Sequence, residues 1–199
     1  VDDFVMSAGE AKTLYSTSYR SCSEAGRRDQ LGPIQKSVDG GLTWVELPGS
    51  ADLRPLFSYA FNADVVLATD CTSLFVSTDG GQSWVQRPEP GIASIWDDHM
   101  ADVVIPLYTR DEASILPTGI EAIFAGGVSR DGSAVVAYTL DLGRTWTEIT
   151  PDVFPEPWGL SALTVESLNP GLVWFTDGSG VWASDDTGLS WRFLQTGLE

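Results

Sequence analysis

The stretch SVDGGLTW, Ser37 to Trp44, decides the fold. Ser, Asp, two glycines and Thr suit a turn, but an ordinary turn has no use for tryptophan at a fixed distance. The arrangement returns as STDGGQSW at 77–84, TLDLGRTW at 139–146 and SDDTGLSW at 184–191. Each copy reads Ser/Thr-x-Asp-x-Gly-x-Ser/Thr-Trp, so the chain is an internal repeat before it is anything else.

Each constrained position has a local reason. The Ser/Thr and Asp pairs, Ser37 and Asp39, Ser77 and Asp79, Thr139 and Asp141, Ser184 and Asp186, can bond backbone groups a few residues on and close a turn without a helix. The fifth position, Gly41, Gly81, Gly143 or Gly188, tolerates a positive φ that a side chain resists. The tryptophans Trp44, Trp84, Trp146 and Trp191 open the next strand, bury a large apolar face and carry one N–H that needs a partner. Strand signals such as SLFVS before the second copy and GVWAS before the fourth flank the repeats. The unit is therefore a β-hairpin whose turn is held by its own side chains. A calcium loop would need several carboxylates at alternating positions, and only one Asp recurs.

The four copies resemble Asp-boxes, or BNR repeats, of sialidases, sortilin-type receptor ectodomains, xyloglucan-active glycosidases and photosystem II assembly factors. The resemblance implies an all-β fold: a β-propeller of four blades, each box turning between a blade's third and fourth strands. Function does not follow, because those relatives include enzymes, receptors and assembly factors.

Composition narrows the rest. The 199 residues include 20 Gly and 11 Pro and carry a net charge of −17, from 28 acidic side chains against 11 basic ones. That sign repels nucleic acid and anionic lipid surfaces, so no nucleic-acid partner is expected. No apolar run is long enough for a membrane-spanning helix. The acidic balance suits a secreted or otherwise extracytoplasmic protein. The chain begins at Val1 rather than Met, which fits a removed targeting segment or an artificial boundary.

Blades are expected at about 1–48, 49–90, 91–150 and 151–199, together one propeller domain. The last is clearest: LSALTVES (160–167), LVWFT (172–176), GVWAS (180–184), box, WRFLQ (191–195). Residues 65–79 align with 172–186 without a gap, and LFSYAF (56–61) supplies blade two's first strand. Blade one uses DFVMS (3–7), TLYSTSY (13–19) and PIQKS (33–37). Blade three is anomalous. From Ser77 to Thr139 is 62 positions, against 40 from Ser37 to Ser77 and 45 from Thr139 to Ser184. It offers one strand candidate too many among IASIW (92–96), DVVIPLY (102–108), EAIFAGGV (121–128) and AVVAYT (134–139). An insertion of about twenty residues is expected within 97–120. Four blades suit a compact ring or part of a larger one, which leaves a homo-oligomer or a larger assembly open.

Propeller geometry places the loops between second and third strands, and between blades, on the face away from the boxes. That face is where ligands are expected. It would hold loop 20–33, the turn 69–73 and the joins RPEPG (87–91) and FPEPWG (154–159). Cys22 and Cys71 fall in corresponding loops of adjacent blades, and an exported protein would pair them in a disulfide; two free thiols in a cytosolic protein is the alternative.

The search for chemistry is thinner. Sialidases hold a carboxylate with three arginines and set the first in Arg-Ile-Pro; the nearest stretch here, LRPL around Arg54, lacks the Ile. Arg20, Arg110 and Arg130 follow no matching pattern, so no catalytic residue carries over. A glycosidase needs two carboxylates across a cleft, a test that 28 acids always pass. The one local cluster is WDDHM, where Trp96, Asp97, Asp98 and His99 would build a carbohydrate platform or simply a solvated turn; Trp158 is a second platform candidate, though packing between blades is the better reading of it, as of Trp174 and Trp182. Adjacent strand residues point to opposite faces, so the cluster converges only in a turn. One His with two Asp is below a usual metal constellation, and no metal or cofactor is expected. Two readings remain: a non-enzymatic propeller binding a protein or glycan as scaffold or accessory subunit, and a glycosidase-like enzyme or fragment of one.

Overall fold

The computed structural model describes residues 3–6, 12–17, 32–58, 62–70, 73–88, 103–104, 123–128, 134–152, 162–166, 169–176 and 180–194. The chain forms two compact units, Val1–Arg87 and Pro88–Glu199.

The first unit holds two four-stranded antiparallel sheets, each a simple meander. Blade one runs β1 (Asp3–Met6), β2 (Leu14–Thr17), β3 (Gln35–Ser37) and β4 (Val45–Glu46). Blade two runs β5 (Arg54–Ser58), β6 (Val66–Thr69), β7 (Leu74–Ser77) and β8 (Val85–Gln86). The second unit repeats the plan. Blade three is β9 (Val103–Val104), β10 (Ile123–Val128), β11 (Ala134–Thr139) and β12 (Thr147–Glu148); blade four is β13 (Ala162–Glu166), β14 (Asn169–Thr176), β15 (Val181–Ser184) and β16 (Arg192–Leu194). No helix occurs among the described residues.

Position in the sheet explains the composition of each strand. Every residue of β6 is buried, and an inner strand covered on both faces reads as an unbroken apolar run, here VLAT, rather than as an alternation. The outer strands β4 and β8 are two residues long and exposed, short enough to leave little edge for aggregation.

Two boundaries differ from the sequence expectation. Blade two's first strand is Arg54–Ser58, starting two residues before the expected 56–61, of which 59–61 lie outside the described residues. Pro55 argues against a strand there, but β5 is an edge strand with a register shift between Pro55 and Phe57, and a residue without an N–H is tolerated in that setting. In blade three the first strand is Val103–Val104, inside the interval assigned to an insertion. β10 then starts only at Ile123, whereas β6 follows the Ser58 end of β5 at Val66. IASIW lies outside the described residues.

Within the first unit the sheets pack through Tyr15, Ile34, Leu47, Leu53, Val66 and Ala68. Tyr15 is fully buried, and its hydroxyl donates to the Ala63 carbonyl at 2.7 Å, tying blade one to blade two. Lys36 adds a second tie. Its Nζ donates to Gly80 O at 3.3 Å, lies 3.8 Å from the Asp64 carboxylate and stands 5.3 Å from the Tyr15 ring centroid. The second unit packs around an aromatic cluster: Phe175 stacks on Trp182 at 5.8 Å and meets Trp191 edge-on at 4.8 Å, while Trp182 meets Phe193 at 4.9 Å. Such pairs add about 0.5–1.5 kcal/mol each beyond the area they bury.

Candidate functional site

The four repeat turns share one hydrogen-bond scheme. In the first, Ser37 Oγ donates to Asp39 Oδ1 at 2.8 Å and accepts from the Gly41 N–H at 2.8 Å. Asp39 Oδ1 accepts from the Thr43 N–H at 2.9 Å, and Oδ2 accepts from the Thr43 hydroxyl at 2.6 Å. Asp79, Asp141 and Asp186 repeat it with Ser83, Thr145 and Ser190. The leading hydroxyls of Ser37, Ser77, Thr139 and Ser184 are buried, so their full use as donor and acceptor avoids an unmet polar group. Both oxygens of every repeat aspartate are engaged within the turn.

The bonds act on ionisation. Donation by the Thr43 hydroxyl, then by its N–H, then by the Ser37 hydroxyl lowers the Asp39 carboxyl from 3.8 to about 2. Ser83 and Ser77 do the same at Asp79, also to about 2, and Ser190 and Ser184 lower Asp186. At Asp141 partial burial pulls upward, and the bonds from Thr145 and Thr139 together outweigh it, so its carboxyl too is lowered. A depressed folded-state value stabilises above the unfolded value and loses that contribution as pH falls through the folded one. The stability gap between the parent and Asp39→Asn is therefore expected to shrink between about pH 4 and pH 2. Urea unfolding of both proteins across that range measures it; a gap that stays constant contradicts the scheme.

Replacing Asp141 by Ala removes three acceptor contacts of an exposed turn and is expected to cost about 1–2 kcal/mol by denaturant unfolding, with ligand binding intact. Full stability combined with lost binding would make the turn a site rather than a staple.

The backbone adds a feature that identity alone hides. The fourth position is left-handed in all four copies, at φ 77° in Gly40, 71° in Gly80, 59° in Leu142 and 63° in Thr187. The fifth follows at 77–90° and is always glycine. At Gly81 and Gly188 space is a second constraint: an added Cβ would strike Leu47 and Ile149, the latter's own Cβ 2.9 Å away, whereas one on Gly40 would meet nothing within 4 Å.

The tryptophan N–H groups diverge. Trp191 Nε1 donates to Ile149 O at 2.6 Å and Trp146 Nε1 to Pro88 O at 3.1 Å. Trp44 Nε1 donates to Gly41 O of its own turn at 3.0 Å. Trp84 Nε1 is buried without a partner, against the expectation that each finds one. Leu47 O, the counterpart of Ile149 O, instead accepts from Ser50 Oγ at 2.8 Å, and Ser50 Oγ in turn accepts from the Ile34 N–H at 2.8 Å.

The residues singled out from sequence as binding candidates, Trp96, Asp97, Asp98, His99 and Trp158, lie outside the described residues, as do Cys22, Cys71 and most of the loops assigned to the ligand face. Among the described residues no three His, Cys, Asp or Glu side chains gather as a metal site requires. One concavity among the described residues is a groove of about 540 Å³ in the second unit. Its walls are Thr147 to Asp152, where β12 leaves blade three, and Trp182 with Gly188 to Trp191 of blade four. It is lined by Thr147, Glu148, Thr150, Asp152, Ser190, the half-buried Trp191 and the exposed Leu189, with the Thr150 hydroxyl held by the Val136 main chain and the Ser190 hydroxyl by Asp186. Neither acid stood out in the sequence, because nothing before folding brings a join in blade three beside the fourth repeat.

Residues 75–86 match the family model of the BNR/Asp-box repeat. No curated protein matches the chain in sequence. Among solved structures it is similar to an ancestral GH74 enzyme, at 18% identity and TM-score 0.63 over 99% of this chain and 24% of that one. The GH74 enzyme of Niastella koreensis gives 18% and 0.58 over 96% and 23%. The GH74 xyloglucanase of Xanthomonas campestris gives 17% and 0.60 over 98% and 30%. The chain thus spans about a quarter to a third of the length of these enzymes, and at such identities the likeness is one of fold. With four repeats each turning a four-stranded sheet, the protein is an Asp-box β-propeller protein.

Proposed function

We propose that the chain is a non-enzymatic binding module, an extracytoplasmic scaffold or accessory subunit that holds a glycan or protein partner. The observation that carries this reading is the groove beside Trp191. Trp191 lines it together with Thr147 and the two acids Glu148 and Asp152, a set suited to a hydroxyl-rich, uncharged ligand: an indole covers apolar C–H faces and carboxylates accept from hydroxyls. The Asp-box acids are all engaged in their turns, which leaves them to structure rather than chemistry.

The alternative is a glycosidase-like enzyme or a piece of one, supported by the GH74 likeness over 99% of this chain. Calorimetric titration with neutral β-glucan oligosaccharides, alongside an assay of reducing ends, separates the readings. Binding without new reducing ends, weakened by Glu148→Gln or Asp152→Asn, supports the module; release of reducing ends supports the enzyme. No binding at all moves the proposal to a protein partner.

The placement outside the cytoplasm rests on the acidic balance and on the proposed Cys22–Cys71 disulfide. Intact mass after alkylation without reductant is expected to show no modified cysteine; two alkylated thiols would remove that support.

A further inference from the structure

Two of the four boxes contain a chemically labile dipeptide. A glycine follows the box aspartate in Asp39–Gly40 and Asp79–Gly80, whereas Leu142 follows Asp141 and Thr187 follows Asp186. With no side chain on the following residue, its main-chain nitrogen can reach the aspartyl side-chain carbon. That nitrogen bonds to Cγ, the carboxyl hydroxyl leaves with the amide proton as water, and a five-membered succinimide closes. Water then reopens the ring at either carbonyl. One product is the original aspartate. The other is isoaspartate, whose main chain runs through the former side chain and is one methylene longer.

Both reactants of that step are engaged elsewhere in the folded chain. The Gly40 N–H donates to Lys12 O at 2.9 Å and the Gly80 N–H to Asp64 O at 2.8 Å. Each of these bonds has to break before the nitrogen can turn to its aspartate. Asp39 Oδ1 accepts from Ser37 Oγ and the Thr43 N–H, and Oδ2 accepts from the Thr43 hydroxyl. Ser77 and Ser83 hold Asp79 in the same way, and Lys36 Nζ adds an anchor on Gly80 O at 3.3 Å. The bonds also keep the carboxylate charged, while the neutral carboxyl is the form that loses water. With the two carboxyls lowered from 3.8 to about 2, that form is about sixtyfold scarcer at about pH 5.

We propose that Asp39–Gly40 and Asp79–Gly80 are isoaspartate-forming sites that their own closed boxes keep from reacting. The hydrogen bonds of the turn protect each aspartate for as long as that turn stays shut. Isoaspartate carries its carboxylate on the α-carbon of a lengthened main chain, so Ser37 and Thr43, or Ser77 and Ser83, no longer meet it at the box spacing. A turn that isomerises while open does not close again in the same form. Damage therefore accumulates with the time each turn spends open, and it marks boxes one and two rather than boxes three and four.

Prolonged incubation of the whole chain at about pH 5, native in one arm and unfolded in concentrated urea in the other, tests this. Peptide mapping with electron-transfer fragmentation counts isoaspartate at each site. The map also separates Asp131–Gly132 and Asp177–Gly178, the other Asp-Gly pairs of the sequence, which lie outside the described residues. Isoaspartate at Asp39 and Asp79 is expected to form about tenfold or more slowly in the native arm. Thr43→Ala, at an exposed position, removes the hydroxyl donor to Oδ2. It is expected to speed the reaction at Asp39 about tenfold and to leave Asp79 at the parent rate. Ser83→Ala is expected to do the reverse, and Thr43→Ser to restore the parent rate at Asp39. Equal rates in the native and unfolded arms overturn the proposal. It also fails if neither alanine variant separates the two sites, because protection would then lie in global stability rather than in each box.

Discussion

Trp191→Ala is expected to destabilise the protein by about 3–5 kcal/mol, the largest loss among the four box tryptophans. The ring meets Phe175 at 4.8 Å, packs against the core of the second unit and donates its N–H to Ile149 O at 2.6 Å. Truncation therefore opens a void beside Phe175 and leaves a carbonyl without its donor, two separate costs. Trp44→Ala, by contrast, removes a ring that bonds only its own turn and is expected to cost the isolated molecule about 1 kcal/mol or less. Denaturant unfolding of both variants at low protein concentration compares them. Equal losses would mean that the tryptophan stabilises its turn rather than the contact between sheets.

Gly188→Ala is the second large effect, expected at about 2–4 kcal/mol. The residue sits at φ 86°, where any β-carbon is strained, and its new methyl would collide with Ile149, adding the cost of overpacking. Gly40→Ala shares the left-handed backbone at φ 77° but has open space around it, so only the conformational part, about 1 kcal/mol, is expected there. The difference between the two variants isolates packing from backbone strain. In Ile149→Ala the flexible part of the obstacle is gone while its Cβ remains, so Gly188→Ala is expected to cost less in that background. An undiminished cost would place the strain in the backbone alone.

The sequence declares this fold because the box is a local device. Ser37, Asp39, Gly41 and Thr43 satisfy one another within a few positions, so their spacing survives whatever surrounds them. The left-handed fourth position escapes notice because Gly, Leu and Thr all occupy it; a constraint on φ alone writes no single letter. Strand limits at Pro55 and Val103 are harder to read, since edge position and the length before β10 are tertiary facts. The groove is harder still. Glu148, Asp152 and Trp191 become neighbours only through the packing of blade three on blade four.

The locality of the box also bears on the order of events when the chain folds. Its hydrogen bonds join residues no more than four positions apart, whereas Tyr15 reaches Ala63 across 48 positions. Short loops close in about 10–100 ns and hairpins in about 1–10 µs, well before contacts of high sequence separation can form. Four turns are thus expected to form independently, each fixing the register of a third and fourth strand while the long connections are still searching. The polypeptide then has only to assemble prealigned ribbons, which spares a β-rich topology much of the slow, aggregation-exposed search for strand partners.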